Sequence, residues 1–131
     1  MKAFEVTTLL KLGLPYIVFF FAPITASIIG LGVLIFADVF TGCKAAKMRG
    51  EEIRSNRLAR TVSKIIFYSI AIILSRVMEV AFMDWLPVAQ LTAGYIAIVE
   101  FKSNLENIAS ITGVDVWKHL LNKFEGWSKR A

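Results

Sequence analysis

The amino-acid sequence predicts an all-α, polytopic membrane protein with about three transmembrane helices and a C-terminal amphipathic helix. No charged residue occurs between Lys11 and Asp38, a run of 26 positions from 12 to 37, and a bilayer core requires about 20 apolar residues in helical form. Overall, 56% of the residues are hydrophobic and 19% are charged, and the basic ones are concentrated beside apolar stretches. That placement is typical of membrane topology signals, so we expect no nucleic-acid partner.

The first span is predicted at about 12–40. Thirteen Leu, Ile, Val or Phe residues between Ile17 and Phe36 favour insertion by roughly −4 to −8 kcal/mol. Pro15 and Pro23 each remove a backbone donor and can kink or break a helix. The segment is therefore one long tilted helix, or two helices joined at Pro23, which would give four spans and move the N-terminus to the other side. A signal peptide is a further interpretation, but its apolar region is only about 7–15 residues long.

A basic loop at about 44–61 follows, and short loops rich in Lys and Arg stay cytoplasmic. Gly50 is expected at the bend and Ser55 as a cap of the next helix. Five more basic residues follow from Lys102 onward, so the C-terminus is also predicted to be cytoplasmic. The basic residues from the loop into the next span are Lys44, Lys47, Arg49, Arg54, Arg57, Arg60 and Lys64, against Glu51 and Glu52.

The second span, at about 62–83, contains two charged residues, Arg76 and Glu79. Its ten Leu, Ile, Val and Phe residues between Ile65 and Phe82 contribute roughly −3 to −6 kcal/mol, and each charge costs about +2.5 to +3.5 kcal/mol. The sum is close to zero, so the charged side of this helix needs protein or water. Because the two residues are three positions apart, they share a face and can pair. They either neutralise each other or form a polar face towards an aqueous lumen or another subunit.

A periplasmic turn is expected next, with Asp84 as a cap, Trp85 at the membrane interface and Pro87 in a helix's first turn. The third span is predicted at about 87–105, in a helix that Gly113 ends.

Small residues line one face of this third helix. Ala89, Ala93 and Ala97 repeat every four positions, with Gly94 beside them, and such faces allow close helix approach within or between chains. Ala26 and Gly30 offer a similar face in the first segment. Glu100, at the cytoplasmic end of the third span, is either solvated at the headgroups or packed against another helix.

The C-terminal segment, at about 115–130, has an apolar stripe at helical spacing that includes Trp117, Phe124 and Trp127. With basic residues on the other side, this pattern is typical of a helix lying in the membrane interface. A packing face against another subunit is the alternative. We interpret residues 1–131 as a single membrane domain, since no repeat or low-complexity linker is evident.

No pattern in the sequence indicates catalysis. There is no phosphate-binding glycine loop, Cys/His cluster or nucleophile elbow. His119 is the single histidine, and Cys43 is the single cysteine, which excludes an intramolecular disulfide. We therefore expect no enzyme activity, no cofactor and no metal site.

A short polar signature ends the first apolar segment. Asp38 needs water or a donor at this position, Thr41 can hydrogen-bond back into its helix, and Gly42 permits a close backbone approach or a helix stop. The segment reads Asp38-Val39-Phe40-Thr41-Gly42-Cys43-Lys44-Ala45, and a later one reads Glu100-Phe-Lys-Ser103-Asn-Leu105-Glu106-Asn107, before Gly113-Val114.

These two segments, in order and separated by a basic loop, resemble the phage lysis and toxin-secretion holin family over roughly 31–114. Its members have an Asp-x-x-Thr-Gly signature and a Glu-x-x-Ser-x-x-Glu-Asn segment before Gly-Val. Val39 and Phe40 depart from its usual aromatic and aliphatic residues, and the pair of Arg76 and Glu79 is not typical of it.

The resemblance implies a homo-oligomer that permeabilises the bacterial cytoplasmic membrane for host lysis or for release of a cell-wall hydrolase. A membrane scaffold within a larger complex and a small ion channel subunit are the alternatives. The candidate oligomer, pore or packing residues are Asp38, Thr41, Gly42, Arg76, Glu79, Ala89, Ala93, Ala97, Glu100, Glu106 and Asn107, and the membrane-interface candidates are Trp85, Trp117, Phe124 and Trp127.

Overall fold

The computed structural model describes residues 2–52 and 55–130, with side chains from residue 6 onward. Within these ranges the chain is helical, with no strand, as the sequence predicts. The helices are α1 (Lys2–Met48), α2 (Asn56–Phe82), α3 (Val88–Thr112) and α4 (Val116–Ser128). The first three pack against one another, with α2 antiparallel to both α1 and α3, and α4 contacts α3 alone among the described helices.

Helix α1 is continuous through both Pro15 and Pro23, so the chain has no turn at Pro23 and the two-helix interpretation is wrong. Each proline removes one helical hydrogen bond, which neighbouring helices can compensate at membrane depth. With 47 residues, α1 is about 70 Å long at 1.5 Å per residue. It extends beyond the predicted span of 12–40 at both ends.

The loop after α1 is shorter than the predicted 44–61, because α1 continues to Met48 and α2 begins at Asn56. Lysine and arginine are good helix formers, so the basic residues at both edges extend the helices. Gly50 does form the bend, with φ of 75°. Ser55 occupies the N-cap position of α2, but its side chain forms no capping hydrogen bond. Arg54 lies outside the described residues.

Within this loop, the Arg49 guanidinium donates to the Glu51 carboxylate at 2.8 Å. The hydrogen bond lowers the pKa of Glu51 from its ordinary value. Both side chains are about half exposed, so the ion pair is a solvated surface contact.

The start of α3 differs from the expectation that Asp84 caps it. Pro87 occupies the N-cap position and gives no side-chain cap. Instead, Glu79 of α2 accepts a hydrogen bond from the backbone N–H of Ala89, with Oε2 at 3.1 Å. A carboxylate from the preceding helix therefore satisfies one of the N–H groups that a helix start leaves free. At the other end, Gly113 stops α3 in a left-handed conformation with φ of 74°, as predicted.

The centre of the three-helix bundle is a small apolar core. Ala89 and Ala93 are buried in it and Ala97 is partly buried against it, so this alanine face packs within the chain. Gly94 and Gly30 lie on the outside. The buried members of the core are Ile24, Leu31, Ile72, Ala89, Ala93 and Ile96.

Most large apolar side chains face outward. Phe36, Phe82 and Tyr95 are 75%, 74% and 72% exposed, one from each helix of the bundle, and so extensive an apolar surface marks contact with a membrane. Two described helices are long and apolar enough to cross one, over Val6–Met48 and Asn56–Phe82. Helix α3 does not meet that criterion, so the third span stays a prediction.

Candidate functional site

A polar network joins the C-terminal half of α1, the N-terminal half of α2 and the C-terminal half of α3. We call it the Glu100 network, and its members are Asp38, Lys64, Tyr68, Glu100, Ser103 and Asn107. Lys64 Nζ donates to Asp38 Oδ2 at 3.2 Å and to Glu100 Oε2 at 3.0 Å. Tyr68 Oη donates to Glu100 Oε1 at 2.7 Å. Because the Glu100 side chain is only 1% exposed, Glu100 packs against α2 and is not solvated at the headgroups.

Asp38 joins α1 to α3 within this network. Its Oδ1 accepts hydrogen bonds from Ser103 Oγ at 2.7 Å and from Asn107 Nδ2 at 3.0 Å. Together with Lys64, these donors give both carboxylate oxygens a hydrogen-bond partner. The donor that the sequence required for Asp38 therefore comes from the second motif segment.

Thr41 and Gly42 complete the contact between the two motifs. Thr41 Oγ1 donates back to Ala37 O at 2.8 Å, as predicted, and accepts from Asn107 Nδ2 at 3.3 Å. Gly42 O accepts from Arg57 Nη1 at 2.6 Å. A Cβ atom at Gly42 would lie 3.3 Å from that nitrogen and 3.4 Å from Asn107 Nδ2. Gly42 therefore serves a close approach and not a helix stop, since α1 continues beyond it.

Several residues of this region were not predicted as site residues. Lys64 was assigned to the charge of the basic region, whereas Tyr68 and Asn104 were not singled out. Asn104 is buried and donates to Leu34 O at 3.0 Å and to Glu100 O at 2.8 Å. The signal was present in α3, where Glu100, Asn104 and Asn107 recur at the spacing of one helix face.

One predicted residue lies apart from this network. Glu106 is 61% exposed and pairs with Lys102 one turn earlier on α3, at 3.5 Å. The second motif segment therefore has one side in the bundle and one side on the surface.

The opposite half of the bundle contains the Arg76 cluster, made of Phe20, Arg76, Glu79 and Ala89. Arg76 Nη1 pairs with Glu79 Oε1 as the spacing predicted. Arg76 Nε donates to Phe20 O at 3.1 Å, and its guanidinium carbon lies 5.8 Å from the centre of the Phe20 ring. Because Glu79 also accepts from Ala89, the pair connects all three helices. The charged side of α2 thus packs on protein within one chain.

Pro23 lies three positions after Phe20, whose carbonyl on α1 accepts from Arg76. Pro23 cannot donate to Phe19 O, and its ring disturbs the adjacent helical turn. The next carbonyl along, that of Phe20, is the one that Arg76 contacts.

Both polar groups lie close enough together to share the bilayer interior. Lys64 and Arg76 are 12 positions apart along α2 (76 − 64), about 18 Å at 1.5 Å per residue. That is less than the hydrocarbon thickness of about 30 Å. Among the described residues, no buried side-chain nitrogen or oxygen lacks a hydrogen-bond partner. The bundle therefore satisfies its polar groups internally, which lipid contact demands.

The interface candidates lie on the surface. Trp85 is exposed at the turn between α2 and α3. On α4, Trp117 is half-buried, whereas Phe124 and Trp127 are exposed, with ring centres 6.4 Å apart in an edge-to-face contact. Asp115 is the N-cap of α4 and accepts from the Lys118 backbone N–H at 2.9 Å.

The outward apolar surface and the internally satisfied charges define an all-α, membrane-integral protein. The sequence matches the model of the Bacteriophage holin family over residues 15–128, a range that includes both motif segments. The chain therefore belongs to the Bacteriophage holin family, which is not an enzyme family. No curated protein and no solved structure shows significant similarity to it.

Proposed function

We propose that this protein inserts into the bacterial cytoplasmic membrane, oligomerises there and permeabilises it, so that a cell-wall hydrolase reaches the wall and the host cell lyses. Membership of the holin family over residues 15–128 carries this proposal. The outward position of Ala26, Gly30 and Gly94 supports association, because small residues allow helices of neighbouring copies to approach closely.

A three-span topology accompanies this function. Helix α3 would be the third span, since its polar residues Glu100 and Asn104 are buried and its outer face presents Leu91, Tyr95 and Ile98. The basic loop and the C-terminus would face the cytoplasm. With α1 as one continuous span, the N-terminus would lie on the periplasmic side.

Helix α4 would lie in the cytoplasmic membrane interface. Its apolar residues Leu121, Phe124 and Trp127 are exposed, and the rings of Phe124 and Trp127 contact each other. Tryptophan favours the headgroup region, and the basic residues Lys118 and Lys123 favour anionic lipid.

Inducible expression in bacteria tests the proposed function directly. A potential-sensitive dye should report an abrupt collapse of membrane potential and an arrest of growth, and cells that co-express a cell-wall hydrolase should then lyse. Expression of the hydrolase alone is the control. If the membrane protein accumulates without loss of potential, the holin proposal is wrong.

The same cells distinguish the two other candidate functions. A scaffold would leave the potential intact and co-purify with another chain at a fixed ratio. A channel subunit would conduct ions without releasing the co-expressed hydrolase.

A further inference from the structure

A cavity of about 230 Å³ lies between α1, α2 and α3 beside the Glu100 network. Its lining includes three cations, Arg57, Arg60 and Lys64, and one carboxylate, Asp38. The lining therefore carries a formal charge of 3 − 1 = +2. None of the functions argued above uses this cavity.

The three cations differ in how far they are compensated. Lys64 contacts both Asp38 and Glu100. Arg57 donates to Gly42 O through Nη1, and its Nη2 forms a long ion pair with Glu51 at 3.8 Å.

Arg60 is the least compensated of the three. No carboxylate of residues 6–52 or 55–130 lies within 4.0 Å of the Arg60 guanidinium, the distance limit for an ion pair. Arg60 is thus free to bind an anion, whereas Arg57 would share its outer edge with Glu51.

The surroundings of the cavity indicate what kind of anion this is. Phe40 and Ile65, which follow the lining residues Val39 and Lys64 in the chain, are exposed apolar side chains on α1 and α2. A ligand in the cavity would therefore have its charge beside arginines and its remainder beside hydrocarbon. Arginine binds phosphate through two parallel hydrogen bonds, and basic pockets between transmembrane helices on the cytoplasmic side bind acidic headgroups.

We propose that this cavity binds the phosphate of an anionic phospholipid from the cytoplasmic leaflet, with Arg60 and Arg57 as its ligands. The inference needs the chain in a membrane but does not depend on permeabilisation. Its failure and the failure of the holin proposal are therefore distinguishable in purified material.

Cys43 provides a native probe, because it is the single cysteine of the chain and lines the cavity. The full chain would be reconstituted in vesicles of phosphatidylcholine alone or of equal parts phosphatidylcholine and phosphatidylglycerol. The rate of Cys43 labelling by an uncharged maleimide would then be measured. We expect labelling to be about fivefold slower with phosphatidylglycerol, because one basic side chain raises the affinity for an anionic lipid surface about fivefold and a bound lipid would cover the Cys43 thiol.

Matched variants separate a built site from general surface charge. Arg60→Gln should abolish the protection, whereas Lys47→Gln, which removes a charge from an exposed residue near the loop outside the cavity, should retain it. Arg60→Lys, which preserves the charge, should keep a reduced protection. Helicity by circular dichroism checks each variant, and if Arg60→Gln does not fold, Arg60→Lys against Lys47→Gln decides.

Three outcomes would overturn the proposal. One is equal labelling rates in the two vesicle types. A second is equal loss of protection in the Arg60 and Lys47 variants. The third is protection by inorganic phosphate added to phosphatidylcholine vesicles, which would assign the cavity to a soluble anion.

Discussion

The Arg76 cluster and the Glu100 network both connect α1, α2 and α3, but with different partners. Arg76 contacts a backbone carbonyl and an aromatic ring on α1, and its carboxylate partner is on its own helix. Lys64 contacts carboxylates from two other helices. Arg76 is neutralised by a residue of its own helix, and the contacts of the pair with α1 and α3 are additional. Lys64 is neutralised only where α1 and α3 pack against α2.

This difference has a consequence for how each region tolerates separation of the helices. If α1 moves away, Arg76 keeps Glu79 as a partner, because the two are one helical turn apart. Asp38 in the same movement would lose Lys64, Ser103 and Asn107 together. Movement of α1 therefore breaks more contacts in the Glu100 network than in the Arg76 cluster. The charges of Arg76 and Glu79 compensate each other whether α1 is packed or separated.

The largest expected effect comes from Arg76→Leu. It leaves Glu79 without its cation and removes the hydrogen bond to Phe20 O on α1. The free energy of unfolding in mixed micelles should therefore fall by about 3 to 5 kcal/mol relative to the wild type. Removing both charges with Arg76→Leu and Glu79→Leu should recover most of that loss. A double variant no more stable than the single one would contradict local neutralisation. We also expect Arg76→Leu to alter oligomerisation or lysis timing more than insertion, and unchanged timing in a lysis assay would contradict a role of the Arg76 cluster in assembly.

Glu100→Ala should have the next largest effect. It removes the acceptor of both Lys64 and Tyr68, and the expected destabilisation is about 2 to 3 kcal/mol because Lys64 is partly solvated and keeps Asp38. Glu106→Ala, on the exposed side of the same helix, should change stability by about 0 to 0.5 kcal/mol. Similar losses for the two glutamates would show that burial does not distinguish them.

Gly42→Val should destabilise the bundle by about 1 to 3 kcal/mol, because its side chain would press on Arg57 and Asn107. The matched control is Gly30→Val, where nothing lies within 4 Å of an added Cβ atom. We expect the control to fold normally. If it impairs association measured by crosslinking, the outward glycine face contacts another copy, and if association is unchanged that contact is excluded.

The smallest effect on the stability of the bundle is expected for substitutions on α4. Trp117→Ser with Trp127→Ser should weaken docking of the tail on the membrane, seen as faster labelling of a cysteine introduced at the exposed Asn122 in a Cys43→Ser background. The free energy of tail docking should fall by about 1 to 3 kcal/mol for each tryptophan side chain that no longer enters the lipid. The stability of the bundle should not change. Identical labelling with and without the tryptophans would exclude interfacial docking.

The contrast between the two polar regions also explains what the sequence could predict. The pairing of Arg76 with Glu79 follows from their spacing on one helix. The contacts of Lys64 with Glu100 join positions 36 residues apart, and nothing local in the chain relates them. Reading the polar residues of α3 as one helix face would have identified Asn104, but not its acceptor on α1.

Helix ends were predicted with mixed success for a similar reason. Gly50 and Gly113 carry their own conformational signal, a positive φ that glycine adopts readily. The start of α3 depends on a carboxylate from α2, so the local pattern that favoured Asp84 was wrong. The continuity of α1 through Pro23 likewise depends on the helices packed beside it.

The length of α1 has one more consequence. Before Phe20, all its described side chains are exposed apart from the position of Gly13, and they include Leu12, Tyr16 and Phe19. No other part of the described chain covers them, and a hydrophobic helix longer than the bilayer adapts by tilting or by thickening the lipid around it. The thickness of the surrounding membrane, and not the packing of the bundle, therefore determines how deeply the first turns of α1 are immersed.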